Sequence, residues 1–339
     1  MRALVLRDFG HLEVADLPEP GPGPGEVLVR IAYTGICGSD IHGFTGKNGR
    51  RVPGQVMGHE TSGVVLGLGE GVTDLPPGTP VTVNPVVVPE ADAAAWRGRE
   101  QQHPGKYVIG VAPERVAAFA ELLVVPARNV VALGEVSLPH GALIEPLAVA
   151  AHAISRVPPP DGPVLVAGGG PIGQSVALAL RQAGVGRVLV TEPASARRDL
   201  LARLGAEPID PSGADVAAEV VRRCGGPVAA AFDAVGSGGT LADCLRATRD
   251  GGMVCLVGMG TPELALPALE VSTHERAVVG SFAYSSVDFE LAAARLAASS
   301  PEQTESLISR VVPLTEAPAA FTALAAGDGT AGKVLVDLS

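Results

Sequence analysis

The sequence predicts an α/β protein in which a doubly wound parallel sheet accompanies a mostly-β domain of short strands. Up to about residue 150 the chain holds short strand-like runs separated by Gly/Pro turns, which is typical of a small barrel or sandwich. After Pro158-Pro159-Pro160, strand-like and helical runs alternate, which is typical of a parallel sheet. The glycine-rich loop Gly168–Gly173 lies between the first strand and the first helix of this alternating part.

Composition and charge limit the classes to which the chain can belong. Its 339 residues are enough for two domains, and 47% hydrophobic with 18% charged residues argue against disorder. The formal net charge of −11 excludes a nucleic-acid partner from our expectations, because binding to phosphates needs a basic surface.

We expect a cytoplasmic protein without a membrane span. Arg2, Arg7 and Asp8 place charges where a signal peptide would be apolar. The longest uncharged run, Val164 to Leu180, contains four glycines and a proline, which fits a strand, turn and helix better than a membrane span. The cysteines are scattered and show no disulfide pattern, which suits a reducing compartment. They are Cys37, Cys224, Cys244 and Cys255.

In the first part of the chain, apolar residues at alternate positions predict a half-buried strand after the turn Gly21–Gly25. These residues are Val27, Val29, Ile31 and Tyr33. Other strand-like runs cover residues 1–8, 61–66, 81–84, 121–125 and 129–133. The irregular segment Pro85–Val116 holds the single tryptophan, Trp96, and is predicted to be a surface lobe or an oligomer contact, with a solvated loop as the alternative.

A helix is predicted from Glu145-Pro146-Leu147-Ala148 to His152. Pro146 suits a first helical turn, where its missing N–H costs nothing. Glu145 then lies at the start of the helix, at the positive end of the helix dipole.

Strands and helices alternate beyond the proline linker. The predicted strands cover residues 164–167, 187–191, 229–233, 253–257 and 277–282, with a closing strand at 333–338. The clearest predicted helices cover residues 171–183, 194–204 and 288–298.

The loop that starts at Gly168 fits the pattern G-x-G-x-x-G, and its place between a strand and a helix favours dinucleotide binding. The glycines permit a tight turn, close approach of the backbone to a pyrophosphate, and packing of helix on strand. The helix N-terminus supplies amide donors to the phosphates. The cofactor-binding candidates in this loop are Gly168, Gly170, Pro171, Ile172 and Gly173.

An acidic residue, Glu192, ends the next predicted strand, at the spacing where a carboxylate binds the adenosine ribose. Glu192 would repel a 2′-phosphate, so NAD is favoured over NADP. Arg197 and Arg198 follow within a few residues and weaken that preference, and Arg197 is counted among the cofactor-binding candidates. The alternative is a tight turn followed by an incidental acidic residue.

Cys37, His59 and one carboxylate would complete a catalytic zinc site, which takes three protein ligands and leaves a position for water or substrate. Two residues are candidates for the carboxylate, Glu60 and Glu145. Spacing does not decide between them, and they can exchange roles as substrate enters. Asp40 is placed to accept the second ring N–H of His59 and so fix its tautomer. The alternatives are a buried apolar cysteine and a polar turn.

Ser39 and His42 follow Cys37 by two and five residues, so both can lie on one short turn and pass a proton away from the metal. The catalytic candidates are Ser39, His42, Glu60 and Glu145.

Taken together, these motifs resemble the zinc-dependent medium-chain dehydrogenases/reductases of the alcohol dehydrogenase superfamily, and most closely the sorbitol and threonine dehydrogenase branch. The resemblance spans nearly the whole chain and rests on the order of its motifs. They are Cys37-Gly-Ser-Asp-Ile-His42, Gly58-His59-Glu60, Glu145-Pro146-Leu147-Ala148, Gly168–Gly173 and Gly332-Lys333-Val334.

The resemblance implies a GroES-like catalytic domain over residues 1–150, completed by residues 285–339, and a Rossmann NAD-binding domain over residues 151–284. It also implies one catalytic zinc in the cleft between the domains and a homo-oligomer, either dimer or tetramer. Many members bind a structural zinc through four cysteines in the lobe after Asn84-Pro85. The lobe Pro85–Val116 contains no cysteine, so we expect no structural zinc and a lobe held by packing or by a neighbouring subunit.

The expected reaction follows from the same resemblance. The polyol branch carries a glutamate at the position of Glu145, where classical alcohol dehydrogenases of the family carry a cysteine ligand. This implies hydride transfer between NAD and a secondary alcohol, such as a polyol, sugar, cyclitol or amino alcohol. Zinc is expected to act as a Lewis acid on the hydroxyl, and Ser39 to relay the proton through the cofactor ribose to His42. The substrate pocket is expected near Phe44, Arg115, Phe119 and Tyr284.

Two other functions are weighed against this one. The first is a zinc-free, NADP-dependent quinone or enone reductase of the same superfamily, a type that lacks the set Cys37, His59 and Glu145. The second is a non-catalytic NAD-binding protein, which predicts a damaged set of metal ligands.

Overall fold

The structure, a computed structural model, describes residues 1–47 and 49–339. Within these residues the chain forms two compact units. The first unit joins Met1–Ala148 to Tyr284–Ser339, and the second is Val149–Ala283. Among the described residues, no helix combines the length and the apolar character needed to cross a bilayer.

In chain order the strands are β1 (Arg2–Asp8), β2 (His11–Asp16), β3 (Glu26–Gly35), β4 (Glu60–Leu68), β5 (Pro80–Val83), β6 (Val86–Val87), β7 (Tyr107–Val108), β8 (Leu122–Pro126), β9 (Val130–Ala132), β10 (Val164–Ala167), β11 (Val188–Thr191), β12 (Glu207–Ile209), β13 (Val228–Asp233), β14 (Thr248–Leu256), β15 (Ala277–Gly280), β16 (Ile308–Pro313) and β17 (Lys333–Asp337). The α-helices are α1 (Gly38–Phe44), α2 (Ala93–Trp96), α3 (Leu138–Gly141), α4 (Ile144–Ser155), α5 (Pro171–Gln182), α6 (Ser195–Arg203), α7 (Val216–Cys224), α8 (Gly238–Ala247), α9 (Ala268–Ser272), α10 (Ser286–Ala297), α11 (Pro301–Ser306) and α12 (Ala317–Ala325).

The first unit is organised around a sheet with the strand order β16-β17-β3-β4-β5-β9, and β8 also pairs with β3. Strand β3 pairs antiparallel with β4, β8 and β17. Its residues Val27, Val29 and Ile31 are fully buried, as the alternation predicted. Since β17 comes from the end of the chain, the sheet is completed only by residues beyond the second unit.

Two residues near which a substrate pocket was expected lie in the core of the first unit. Phe44 and Phe119 are buried, and each packs edge to face on Phe321, with ring centroids 5.7 and 5.5 Å apart. Such ring pairs stabilise a core beyond the apolar area they bury. In a chain with few aromatic residues, Phe44 and Phe119 are therefore used for packing, and the substrate pocket near them stays a prediction.

The lobe Pro85–Val116 has short elements of its own. Strands β6 and β7 pair antiparallel, and α2 ends at Trp96. The Trp96 ring lies edge-on to His103, with centroids 4.8 Å apart, and the guanidinium of Arg99 stacks over it at 4.6 Å. The lobe is thus packed around its single tryptophan.

The second unit contains a six-stranded sheet in the order β12-β11-β10-β13-β14-β15. All of its neighbouring strands are parallel. Strands β10 and β13 are buried along their whole length, as expected for the centre of a sheet covered on both faces. This order is that of a doubly wound dinucleotide-binding sheet, and the predicted fold class is confirmed.

Five strands were not predicted: β2, the two-residue strands β6 and β7 of the lobe, β12 and β16. Strand β12 has only three residues, one of them Pro208, and β16 is exposed at most of its positions. Neither therefore shows the buried alternation or the apolar run by which a strand is recognised.

Candidate functional site

Three of the predicted metal ligands meet in the first unit. One ligand atom each from Cys37, His59 and Glu60 lies within 4.8 Å of the others. Cys37 directly precedes α1, and Glu60 is the first residue of β4. The end of β3 pairs with the start of β4, so that Gly35 lies opposite Glu60. A Cβ on Gly35 would collide with the Glu60 carboxylate, so glycine is needed there.

The carboxylate of Glu60 is fully buried, and among the described residues only one of its two oxygens has a hydrogen-bond partner. Its Oε1 accepts a hydrogen bond from Lys333 Nζ at 2.7 Å, while Oε2 has no partner among the described residues. Buried polar atoms without a partner are rare and point to a missing ion or water. A thiol, an imidazole and a carboxylate oxygen at this spacing are the donor set of a zinc site, so the residues present fit the metal.

A buried ion pair, Asp40 with Arg51, lies beside His59. Asp40 Oδ1 lies 3.5 Å from His59 Nδ1 and 3.5 Å from Arg51 Nη2, and all three side chains are buried. The other oxygen, Oδ2, accepts a hydrogen bond from the Cys37 amide at 3.1 Å. Asp40 thus lies beside His59 at an ion-pair distance, without the predicted hydrogen bond between Oδ1 and Nδ1, and it also accepts from the backbone of Cys37.

The second candidate carboxylate, Glu145, lies outside the group of three. It is buried near the start of α4, and its Oε1 accepts a hydrogen bond from the Tyr284 hydroxyl at 2.8 Å. Burial raises the pKa of Glu145 to about 7 because His59 offsets the desolvation only in part and Glu60 adds to it. The charges of His59 and Glu60 therefore act on the pKa of Glu145.

The pKa of His59 moves in the same direction. Burial by itself would lower this pKa, but the charges of Asp40 and Cys37 outweigh burial and raise it to about 10. Without a metal, the His59 ring therefore holds protons on both nitrogens and is positively charged at neutral pH.

The proposed proton carriers lie on one short helix. Ser39 Oγ is 3.4 Å from His59 Nε2, and His42 is exposed. Residues three apart on a helix share a face, so Ser39 and His42 lie on the same side of α1.

The dinucleotide candidates lie at the start of α5 in the second unit. Gly168 has a φ of +93°, and a Cβ on Gly173 would collide with the carbonyl oxygen of Gly168. Gly170 caps α5 and has open space where its Cβ would be, and Pro171 and Ile172 form the first turn. The loop therefore needs glycine for its turn and its packing and leaves room at Gly170 for a ligand to approach the backbone.

Glu192 directly follows β11 and is buried. Its carboxylate accepts hydrogen bonds from the amides of Gly169 and Ala194, each at 2.9 Å. Arg197 lies 3.8 Å away, while Arg198 bonds to the Glu192 carbonyl and pairs with Asp210 at 3.1 Å. Glu192 is thus tied directly to the glycine loop.

Sequence reasoning assigned no partner to three residues that support this site. Arg51 gave no signal, because an arginine in a polar run is ordinarily exposed. The sequence indicates Lys333 only through the motif Gly332-Lys333-Val334, and Tyr284 only as a residue near the expected pocket. Their partners Glu60 and Glu145 are more than a hundred residues away in sequence, beyond the reach of any local pattern.

We predict that the metal-free protein loses stability as pH rises. Folding raises the pKa of His59 from 6.5 to about 10 and that of Glu145 from 4.5 to about 7. Both shifts mean that the folded state holds more protons than the unfolded state, so stability falls with increasing pH. The His59 contribution is fully present below its unfolded pKa and is lost as pH rises to about 10, and the Glu145 penalty develops from 4.5 to about 7.

Urea unfolding of chelator-treated protein at about pH 5, 7 and 9 measures this dependence. The midpoint is expected to fall along the series, and zinc-loaded protein serves as the comparison because the metal replaces the His59 proton. A metal-free protein that is more stable at the highest pH than at the lowest would contradict the prediction.

Comparisons with known proteins agree with this arrangement. A family model described as Alcohol dehydrogenase GroES-like domain matches residues 23–135, and one described as Zinc-binding dehydrogenase matches residues 171–299. L-galactonate-5-dehydrogenase from Escherichia coli (strain K12) is 34% identical over 284 residues, which cover 83% of each protein. Sorbitol dehydrogenase from Gallus gallus is 32% identical over 336 residues, which cover 96% of this chain and 94% of that protein. The crystal structure of 2R,3R-butanediol dehydrogenase from Bacillus subtilis matches with a TM-score of 0.89 and 27% identity over 99% of both chains.

Proposed function

The chain belongs to the zinc-dependent alcohol dehydrogenase family, near its sorbitol dehydrogenase branch, and on that premise we propose that it transfers hydride between NAD and a secondary alcohol of a polyol, sugar, cyclitol or amino alcohol. We assign catalysis to the first unit and NAD binding to the second. The observation that carries the proposal is the group Cys37, His59 and Glu60, with one buried carboxylate oxygen left without a partner.

We assign the metal to Cys37, His59 and Glu60, and Glu145 to the position from which it exchanges with Glu60 as substrate enters. When bound, zinc supplies Lewis-acid polarisation of the alcohol or ketone oxygen, and NAD supplies the hydride acceptor. Lys333 neutralises Glu60, and Asp40 holds the His59 ring.

Side chains of the protein itself carry the hydroxyl proton to solvent. We propose that Ser39, beside His59, accepts the hydroxyl proton and that the exposed His42, one turn further along α1, exchanges it with solvent. A histidine suits that role because its ordinary pKa lies near neutrality.

Metal analysis and a substrate panel test the proposal together. Protein purified without chelator is expected to hold about one zinc per chain, since the lobe Pro85–Val116 offers no cysteine for a second. It is expected to reduce NAD with some member of a panel of secondary polyols, sugars, cyclitols and amino alcohols, followed by the absorbance of the reduced cofactor. A metal-free protein that reduces enones with NADPH, or a protein that binds NAD and reacts with nothing on the panel, would refute it.

We predict a preference for NAD over NADP that depends on the charge of Glu192. Like charges about 4 Å apart repel by ~1 kcal/mol in water and ~4 kcal/mol near a protein surface. Glu192→Gln should therefore lower the ratio of kcat/KM for NAD to that for NADP by about fivefold or more. Glutamine keeps the acceptor oxygen that the Gly169 amide needs. Glu207→Gln, on the neighbouring strand β12, is the matched control and should leave the ratio unchanged. A wild-type preference for NADP would contradict the assignment.

We also propose that the protein is a homo-oligomer, dimer or tetramer, that uses the open edge of β15. This strand ends the sheet of the second unit, and the backbone groups along its open edge can pair with a second copy, although the Gly280 carbonyl already accepts from Arg156 at 3.2 Å. Apolar side chains lie exposed nearby: Leu266 is 50% exposed, Leu269 76% and Val278 37%.

The double variant Leu269→Asp/Val278→Asp is expected to shift the protein to monomers in light scattering, because charges on both copies would meet at the edge. Leu291→Asp, at an apolar position of the first unit that is about as exposed as Val278, is the control. A wild-type protein that is monomeric at micromolar concentration would refute the proposal.

A further inference from the structure

A buried carboxylate ties the lobe Pro85–Val116 to the start of α10. Glu100 is only 7% exposed, and it accepts hydrogen bonds from the Ser286 hydroxyl at 2.5 Å and the Ser286 amide at 3.2 Å. It also accepts from the Gly98 amide at 3.0 Å. Ser286 is the first residue of α10, so its amide has no acceptor within the helix, and Glu100 supplies one.

The residues just before Ser286 lead to the proposed active site. Tyr284 is fully buried, and its hydroxyl donates to Glu145 at 2.8 Å. Between them, Ser285 caps α10 and its hydroxyl donates to Asp288 at 2.6 Å. A displacement of Ser286 is therefore transmitted over two residues to a side chain that contacts Glu145.

We propose that Glu100 is a positioning residue, which fixes Tyr284 through Ser286 and thereby holds the Glu145 carboxylate in place. The inference rests on the proposed function only in so far as Glu145 acts at the metal site. It also explains how a lobe without cysteines is anchored within its own chain. A carboxylate suits this task because its two oxygens accept from amide and hydroxyl at once, and charge-assisted hydrogen bonds of this kind are the stronger ones.

The variants Glu100→Ala and Glu100→Gln test the proposal, with Glu290→Gln as the matched control. Glu290 also links α10 to the lobe, through an ion pair with Arg97 at 2.9 Å, but this pair is exposed and is expected to contribute little. Amide hydrogen exchange over residues 284–289, zinc content and kcat/KM are measured for each variant.

In Glu100→Ala, exchange over residues 284–289 should be faster and kcat/KM lower by about 10–100-fold, the usual range for losing a residue that orients a metal-site group, at unchanged zinc content. Glu100→Gln keeps one acceptor oxygen and should lie between Glu100→Ala and the wild type. Since Glu100 acts through Tyr284, adding Glu100→Ala to Tyr284→Phe should lower kcat/KM no further than Tyr284→Phe alone.

Additive losses in the double variant, or exchange over residues 284–289 that matches the control, would overturn the proposal. If Glu100→Ala fails to fold, the same two readouts on Glu100→Gln decide the question. Failure of the proposed function gives a different result, a wild-type protein without zinc or alcohol oxidation, and the exchange measurement still tests the anchoring by Glu100.

Discussion

Cys37→Ser is expected to remove zinc and activity together. Serine has no thiolate to donate, and a catalytic zinc with three protein ligands loses one of them. Loss of a residue that merely orients a ligand costs about 10–100-fold, so loss of a ligand should lower kcat/KM by more than about 100-fold. Zinc content after dialysis and kcat/KM on the best substrate of the panel are measured on the same preparation.

Cys224→Ser is the matched control for this experiment. Cys224 is half-buried at the end of α7 in the second unit and is not one of the three candidate ligands, so its loss should change neither zinc content nor kcat/KM. A Cys37→Ser protein that is active without metal would refute the metal assignment. A variant that is inactive but still holds about one zinc per chain would show that Cys37 is not a ligand and would indicate a contact with substrate instead.

Lys333→Met is expected to cause the largest loss of stability. The pair Lys333–Glu60 is buried on both sides at 2.7 Å, and removing one partner of a buried pair costs about 3–5 kcal/mol because the other charge is left uncompensated. Chelator-treated protein is unfolded in urea and followed by tryptophan fluorescence. The single tryptophan, Trp96, lies in the first unit, so the signal reports on the unit that contains the pair.

Arg7→Met is the control for Lys333→Met, since Arg7 pairs with Glu13 at 2.8 Å in an exposed position where such pairs contribute little. Zinc should reduce the cost of Lys333→Met, because the metal offers Glu60 a second positive charge. Equal losses for the two variants, or a loss that zinc leaves unchanged, would contradict this account of Glu60.

The sequence predicted most of what local patterns encode. Strand β3 was predicted from the alternation of Val27, Val29 and Ile31, and the loop Gly168–Gly173 was predicted from the order of strand, glycines and helix. Cys37 and His59 were singled out as ligands from residue type, and the structure brings them together with Glu60. Their roles in catalysis stay predictions until the variants above are measured.

Most of what the sequence did not predict is long-range pairing. The pattern did not choose between Glu60 and Glu145, because that choice depends on β3 lying beside β4 and not on spacing along the chain. Arg51 carries a charge that is normally exposed, and nothing near it in sequence indicates that it turns inward to Asp40. The core packing of Phe44 and Phe119 was not predicted either, because an apolar ring suits a pocket and a core equally well.

The discontinuity of the first unit has a consequence for synthesis on the ribosome. The second unit is one continuous segment and can fold as soon as it emerges, whereas β3 waits for β17, which is translated about 300 residues later. Because β17 begins with Lys333, Glu60 lacks this neutralising partner until that strand has been translated. A translation arrest before residue 333 should therefore leave a nascent chain whose second unit can fold while the sheet of its first unit still lacks β17.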